Sequence, residues 1–187
     1  MKSTIITILS FILVIGCNPN KLSHVETATK YFNARNSSEF VQIQELIADS
    51  LTIVEGDYIM PYSKDEYYEV FKWDSTFQTR YEVVELQETN DQVIASITLS
   101  SIKHKFLKND RMTCTFKLSF EEAKISKIES LDCKGADWEI WEKQVNILVE
   151  WVAINHPELD GFIYDMTLNG AQNYVKAIQL HESRHDE

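Results

Sequence analysis

The stretch RMTCTFKLSFEEAKISKIESLDC, residues 111–133, decides the architecture. In its first half Cys114, Phe116, Leu118 and Phe120 alternate with Thr113, Thr115, Lys117 and Ser119. Successive side chains of a strand point to opposite faces, so the pattern predicts one buried face and one wet face. The second half, residues 124–133, resumes the strand period after only Glu121-Glu122-Ala123, and so short a connection joins antiparallel neighbours. Moving outward, residues 77–86 and 92–105 read the same way. Their connections are the polar turns Thr89-Asn90-Asp91 and Lys108-Asn109-Asp110. Four strands in a meander follow.

The flanks change period. Upstream, Val25, Ala28, Tyr31 and Phe32 recur at helical spacing, and Ser23 with Glu26 forms a capping box. Phe40, Ile43, Leu46 and Ile47 mark a second short helix ending near Asp49. A brief β-branched run, residues 51–54, precedes the turn Glu55-Gly56-Asp57, and Ser63 with Glu66 opens a third helix through Tyr67, Val70 and Phe71. Downstream, Asp137 caps a helix striped by Trp138, Trp141, Val145, Leu148, Val149 and Val152, which His156-Pro157 ends. Asn169 caps a last helix carrying Tyr174, Val175 and Ile178. Helices, meandering strands, then helices define an α+β single domain.

Composition narrows the function classes. In 187 residues, 44% are hydrophobic and only 5 are Gly and 3 Pro, which excludes disorder as the main state. Lys and Arg number 18 against 29 Asp and Glu, a net charge of −11. That sign excludes sequence-independent nucleic-acid binding and adsorption to an acidic bilayer, since both need basic surfaces.

The first residues read as an address. Lys2 precedes an apolar run, residues 5–15, short of the ~20 residues that span a bilayer. The run ends in Val14-Ile15-Gly16-Cys17, which resembles the lipobox of bacterial lipoproteins. The resemblance implies a signal peptide at residues 1–16, lipidation of Cys17 and a tether over residues 17–22. Several acyl chains would hold the protein on its membrane without release. Asn18 is not the inner-membrane retention Asp, and no acidic run follows Cys17. By lipoprotein sorting rules the expected location is the bacterial outer membrane, facing the periplasm.

In that oxidising compartment Cys114 and Cys133 are a candidate disulfide, with two buried thiols as the alternative. A register placing Met112 opposite Cys133 makes Cys114 its same-face diagonal neighbour. A register one residue different puts the two on opposite faces, so a bridge requires the first register or a bulge.

Tyr31-Phe32-Asn33-Ala34-Arg35-Asn36-Ser37, followed by Phe40, Leu46 and Asp49, is similar to the helical opening of SnoaL-like, nuclear transport factor 2-like domains. The turn at residues 121–128 resembles that family's closing hairpin. The resemblance covers residues 24–133 and assigns residues 23–134 to the domain. It implies a cone in which N-terminal helices pack with a curved four-stranded antiparallel sheet, its mouth holding a small apolar ligand. Residues 135–187 form a C-terminal helical extension and charged tail, packing on the sheet or covering an edge. The family contains isomerases, cyclases, hydrolases and non-catalytic binding modules, so the fold leaves the activity open.

The large amphipathic residues on the enclosing elements, Tyr31, Tyr58, Tyr62, Trp73, Phe77 and Tyr81, are the candidate ligand pocket. The bland account of the same aromatics is packing of the third helix on the sheet. Asp57, Asp74 and His104 are the candidates for acid–base chemistry, with Arg80 a further polar residue able to face the cone. Capping and turn formation explain the two Asp without chemistry. The string His181-Glu182-Ser183-Arg184-His185 spells a zinc-protease signature, but at a charged chain end it reads as a solvated tail, and no metal is expected. No phosphate loop, CxxC pair or nucleophile elbow is present in the sequence, and no cofactor is expected. The expected role is non-catalytic: binding a small apolar or amphipathic molecule, or docking a protein partner. The alternatives are a cofactor-free acid–base enzyme and a scaffold whose cone is filled by its own side chains. A buried carboxylate or His hydrogen-bonded to a second polar group in the cavity is the mark of the enzyme. Replacing Cys17 with Ser should abolish labelling with palmitate in a bacterial host. Uptake of label by the Cys17→Ser protein would show that the anchor lies elsewhere.

Overall fold

The computed structural model describes residues 22–184. Cys17 with its lipobox, and His185, lie outside the described residues. Helix α1 (His24–Ser37) opens on the Ser23–Glu26 capping box, in which each side chain accepts from the other's backbone N–H. Two of the helix's orphan donors are satisfied in this way. Thr27, Ala28, Tyr31, Phe32 and Ala34 form its buried face. Helix α2 (Phe40–Leu46) is shorter than expected, because the chain turns extended at Ile47.

Two strands join the four expected ones. The β-branched run belongs to β1 (Ile47–Glu55), which turns at Gly56 into β2 (Tyr58–Ser63). A second capping box, Ser63 with Glu66, starts α3 (Lys64–Ser75). The meander is β3 (Arg80–Thr89), β4 (Gln92–Ser100), β5 (Met112–Glu121) and β6 (Lys124–Lys134). The sheet order is β2-β1-β6-β5-β4-β3, with β1 parallel to β6 and every other pair antiparallel. The sheet is therefore six-stranded and mixed. Val93, Ala95, Ile97 and Leu99 alternate inward along β4, the half-buried pattern read from the sequence. Register shifts interrupt β1/β6, β3/β4 and, twice, β5/β6. Bulges bend a strand and raise its twist, which curves the sheet around α1.

The residues expected to end the second strand do not extend it. After Ser100 the Ser101 side chain accepts from the His104 backbone N–H and starts helix α4 (Ile102–Phe106). The Ile102 N–H donates to the Phe77 carbonyl at 3.1 Å, so the chain is pinned where it leaves the sheet. Helix α5 (Trp138–Asn155) starts at Asp137, whose side chain accepts from the Ile140 N–H. A single tighter turn, Pro157–Leu159, leads towards α6 (Leu168–Ser183). Its cap is Thr167 rather than Asn169. A Cβ at Gly170 would collide with the Asp165 carbonyl, so only glycine lets residues 165 and 166 fold back against α6.

Two apolar clusters result. The first joins α1, α2 and α3 to the sheet through Phe32, Ile43, Tyr67, Ile97 and Leu118. The second joins Phe77 and α4 to α5 and α6 through Phe106, Leu148, Val152, Tyr174 and Ile178. Trp141 packs against both. The C-terminal helices thus rest chiefly on α3 and α4, and α6 touches both, rather than lying across the sheet. Among the described residues no helix is long and apolar enough to cross a membrane.

Cys114 and Cys133 form a disulfide, and they face each other directly across β5 and β6. At the turn, Glu121 pairs Lys124 and Phe120 pairs Ile125. Each of the two bulges then inserts one extra residue on β6, Ser126 and Leu131, and together they bring Cys133 opposite Cys114. The bridge closes a span of 19 residues, for which loop-closure entropy removed from the unfolded chain corresponds to about 3 kcal/mol. A Cys114→Ser/Cys133→Ser protein should unfold at lower urea concentration with a loss of about 2–4 kcal/mol. An unchanged midpoint would show that the bridge contributes nothing.

Candidate functional site

A cavity of about 390 Å³ opens between α1, α3, α4 and the inner face of the sheet. Its apolar wall includes Phe32, Ile53, Val54, Val70, Leu99, Phe116 and Ile128, with Met60 and Met166 nearer the edges. The volume exceeds the ~300 Å³ at which ligand pockets begin. The cone is thus not filled by its own side chains.

One charged network occupies its polar side. Arg35, in the last turn of α1, donates from Nη1 to the hydroxyls of Tyr31 (3.1 Å) and Tyr67 (2.6 Å). From Nη2 it donates to Asp74 Oδ2 (2.6 Å) and to the Tyr81 hydroxyl. Tyr81 in turn donates to Asp74 Oδ2 at 2.7 Å, and the Tyr31 and Tyr67 hydroxyls bond each other. Burial pushes the Tyr67 and Tyr81 hydroxyls well above the ordinary phenol range, so both are neutral donors. Burial also opposes ionisation of Asp74, but Arg35 and the Tyr81 hydroxyl together outweigh it and hold the carboxyl below its usual value. Beside this network, the Asn36 side chain accepts from the Tyr81 N–H at 2.8 Å and donates to its carbonyl at 2.9 Å. It acts as a missing strand partner for β3 and fixes the end of α1 to it.

Helix α4 supplies the opposite chemistry. Lys103 lines the cavity with its ammonium over the rings of Trp73 (4.5 Å to the centroid) and Phe77 (4.9 Å). Burial lowers its pKa below the usual lysine value, with Asp74 and Glu55 acting in the other direction. His104 is 7% exposed, lies 5.8 Å from the Trp141 ring, and has no hydrogen-bond partner at Nδ1.

Of the residues expected at the pocket, Tyr31, Tyr62, Trp73 and Tyr81 line the cavity. Tyr58 does not: it begins the edge strand β2 and is 75% exposed. Phe77 does not either, being fully buried in the second cluster between Trp73 and Tyr174. Asp74 and His104 reach the cavity, whereas Asp57 sits exposed in the β1–β2 turn and Arg80 points to the Asn36 carbonyl from an exposed position. The expected solvated tail is a correction of another kind. His181 is on α6, 7% exposed, edge-on to Phe106 and Trp151, because α6 continues to Ser183 against α4 and α5. Arg35 and Lys103 escaped the sequence reading. Arg35 stands four residues after Tyr31, on the same helical face, and that spacing was the one available signal. Among the described residues one group has the donor set for a metal: His24, Glu88 and Asp91, with ligand atoms within 4.8 Å of one another. It lies on the surface, and the His24 ring is already paired with Glu88 at 2.8 Å and stacked on Phe120.

Burial, and then the neighbouring Lys103 charge, bring the pKa of His104 from 6.5 down to about 4. Between those values the unfolded chain binds the proton and the folded chain does not. Stability from this group is therefore complete above pH 6.5 and is lost as pH falls towards about 4. The loss is on the order of 3 kcal/mol. In urea unfolding across this range, His104→Gln should flatten the pH dependence relative to the parent protein. Parallel profiles would show that His104 does not carry it.

No protein-family model and no curated protein matches the chain. Solved structures do. IdmH, a candidate polyketide cyclase from Streptomyces antibioticus, is 15% identical; the match covers 67% of this chain and 99% of that one, with a TM-score of 0.50. A candidate polyketide cyclase from Sinorhizobium meliloti is 11% identical over 59% of this chain and 100% of its own, TM-score 0.50. Bal32a, from a soil-derived mobile gene cassette, is 13% identical over 63% and 95%, TM-score 0.50. At such identities the likeness establishes the fold: an α+β nuclear transport factor 2-like cone, here with a curved six-stranded sheet and C-terminal helices.

Proposed function

We propose that the protein is a lipid-anchored envelope protein whose cone binds a small amphipathic molecule without transforming it. The observation that carries the binding reading is the cavity itself: about 390 Å³, mostly apolar, with a few polar groups held in place by mutual hydrogen bonds. Pockets that recognise small apolar molecules have this composition. The candidate polyketide cyclases of the same fold support a small-molecule role for such a cone. The lipobox-like Val14-Ile15-Gly16-Cys17 supports the anchor, and the Cys114–Cys133 bridge suits an oxidising compartment.

A second reading, acid–base catalysis on the bound molecule, has one observation in its favour. Asp74 is a carboxylate at the cavity, hydrogen-bonded to other polar groups there. A useful general base has a pKa near the working pH, however, and Arg35 holds Asp74 low. His104, with its pKa at about 4, has no hydrogen bond at Nδ1 to orient its ring. Binding is therefore the leading reading.

Native mass spectrometry of the full chain extracted from a bacterial envelope should show a small molecule that leaves on denaturation. Adding that molecule back should quench tryptophan fluorescence, with a smaller quench in Trp73→Phe, because Trp73 lines the cavity. Recovery of an altered molecule after incubation would transfer the assignment to the enzyme reading. A ligand-free protein that no amphiphile quenches would leave a scaffold.

A further inference from the structure

We propose that the ligand is a monocarboxylate with an apolar body, and that Lys103 receives its acid group. The inference rests on the binding reading above and specifies the class of molecule. Lys103 stands at the start of α4, where Ser101 caps the helix and the Ile102–Phe77 bond fixes the backbone. Its ammonium is held over Trp73 at 4.5 Å, Phe77 at 4.9 Å and Trp141 at 5.9 Å, two rings from around the end of α3 and one from α5. Aromatic faces stabilise a desolvated cation but offer no oxygen to its three N–H donors. No carboxylate among the described residues forms an ion pair with Lys103.

Asp74, whose charge acts on Lys103, is already engaged. Its Oδ2 accepts from Arg35 at 2.6 Å and from Tyr81 at 2.7 Å, and its charge is balanced by the guanidinium. With Arg35 and Asp74 paired, Lys103 is the cation at the cavity that no direct ion pair engages. Glu55 also lines the cavity and acts on Lys103 from the exposed end of β1, but no ion pair joins the two. His104 adds a second nitrogen without a partner: its buried Nδ1 makes no hydrogen bond among the described residues, and a neutral imidazole can present either a donor or an acceptor there. A buried nitrogen without a partner is uncommon enough to call for an explanation. Lys103 and His104 both line the cavity, and Trp141 stands behind them, 5.9 Å from the ammonium and 5.8 Å from the imidazole ring.

The chemistry selects a carboxylate over the other anions. A single cation balances a single negative charge, whereas a phosphate monoester would bring close to two. A phosphate would also call for an Arg fork or a backbone cradle. The guanidinium in this cavity is occupied by Asp74 and three Tyr hydroxyls. The apolar wall opposite, with Phe32, Leu99 and Phe116, takes the rest of the molecule.

Isothermal titration at neutral pH with octanoate, octanol and octylamine tests the assignment, since the three share one apolar chain and differ in the head group. The full chain should bind octanoate at least about tenfold more tightly than octanol, the usual gain from a charge-assisted hydrogen bond in a desolvated site. Octylamine should bind more weakly than octanol. Lys103→Met should erase the preference for the acid, so that octanoate and octanol bind this variant alike, and Lys103→Arg should retain part of it. The comparison of head groups in the unmodified protein stands even if a variant fails to fold. Equal binding of octanoate and octanol, or a preference that survives in folded Lys103→Met, overturns the acid assignment alone. Binding of none of the three overturns the cavity reading and this proposal with it.

Discussion

The guanidinium of Arg35 enters a space largely closed to water, and a charge there persists only if the fold surrounds it with acceptors. Asp74 provides the counter-charge, and Tyr31, Tyr67 and Tyr81 complete the shell. Those four partners come from α1, the two ends of α3 and the beginning of β3, so satisfying one side chain sets three elements in position at once. A buried ion pair of this type is poor evidence for net stability, since apolar residues of equal volume often do as well. What it supplies is geometry. Each tyrosine ring packs in the apolar cluster by its body while its hydroxyl is drawn to the cation, which keeps the aromatic residues at the cavity wall instead of collapsed into the void.

The second apolar cluster determines what faces this network. α4 is anchored from below by Phe106 and Leu107, which pack against α5 and α6. That anchoring turns Lys103 and His104 towards the cone. The C-terminal helices thereby act on the site without forming most of it. Their support lets a half-buried lysine stand beside a buried histidine, and the neighbouring aromatic rings of Trp73, Phe77 and Trp141 set the polarity around them. The segment held down by Gly170 contributes directly, because Met166 reaches the cavity and the Asp165 carbonyl accepts from the Trp73 indole at 3.3 Å.

Local rules made much of this readable in the chain. The capping boxes at Ser23–Glu26 and Ser63–Glu66, and the cap at Asp137, depend on contacts three residues apart, and all are present. The alternation along residues 92–99 and 112–120 depends only on which face is buried. Rules of this range fail where a partner is distant or a stop is brief. β2 carries Pro61, is largely exposed, and owes its existence to pairing with β1, which itself needs β6 from the other end of the domain. α4 has five residues, and Ile102, His104 and Phe106 alternate just as a strand would; only the Ser101 cap distinguishes it, after the chain has left the sheet.

The sequence by itself determined the α+β order, the antiparallel meander and the acidic charge, because periodicity, caps and charge are properties of neighbours along the chain; the pocket aromatics were named only through the family resemblance. The tertiary structure alone decided the rest. Whether Asp74 is a turn former or the partner of a buried cation depends on Arg35, 39 residues away. Whether Cys114 meets Cys133 depends on two bulges in β6, each of which moves every following residue by one place. Lys103 loses part of its water only when the rings of Trp73, Phe77 and Trp141 come together over it, and desolvation is a property of the enclosed space that no single segment of chain carries.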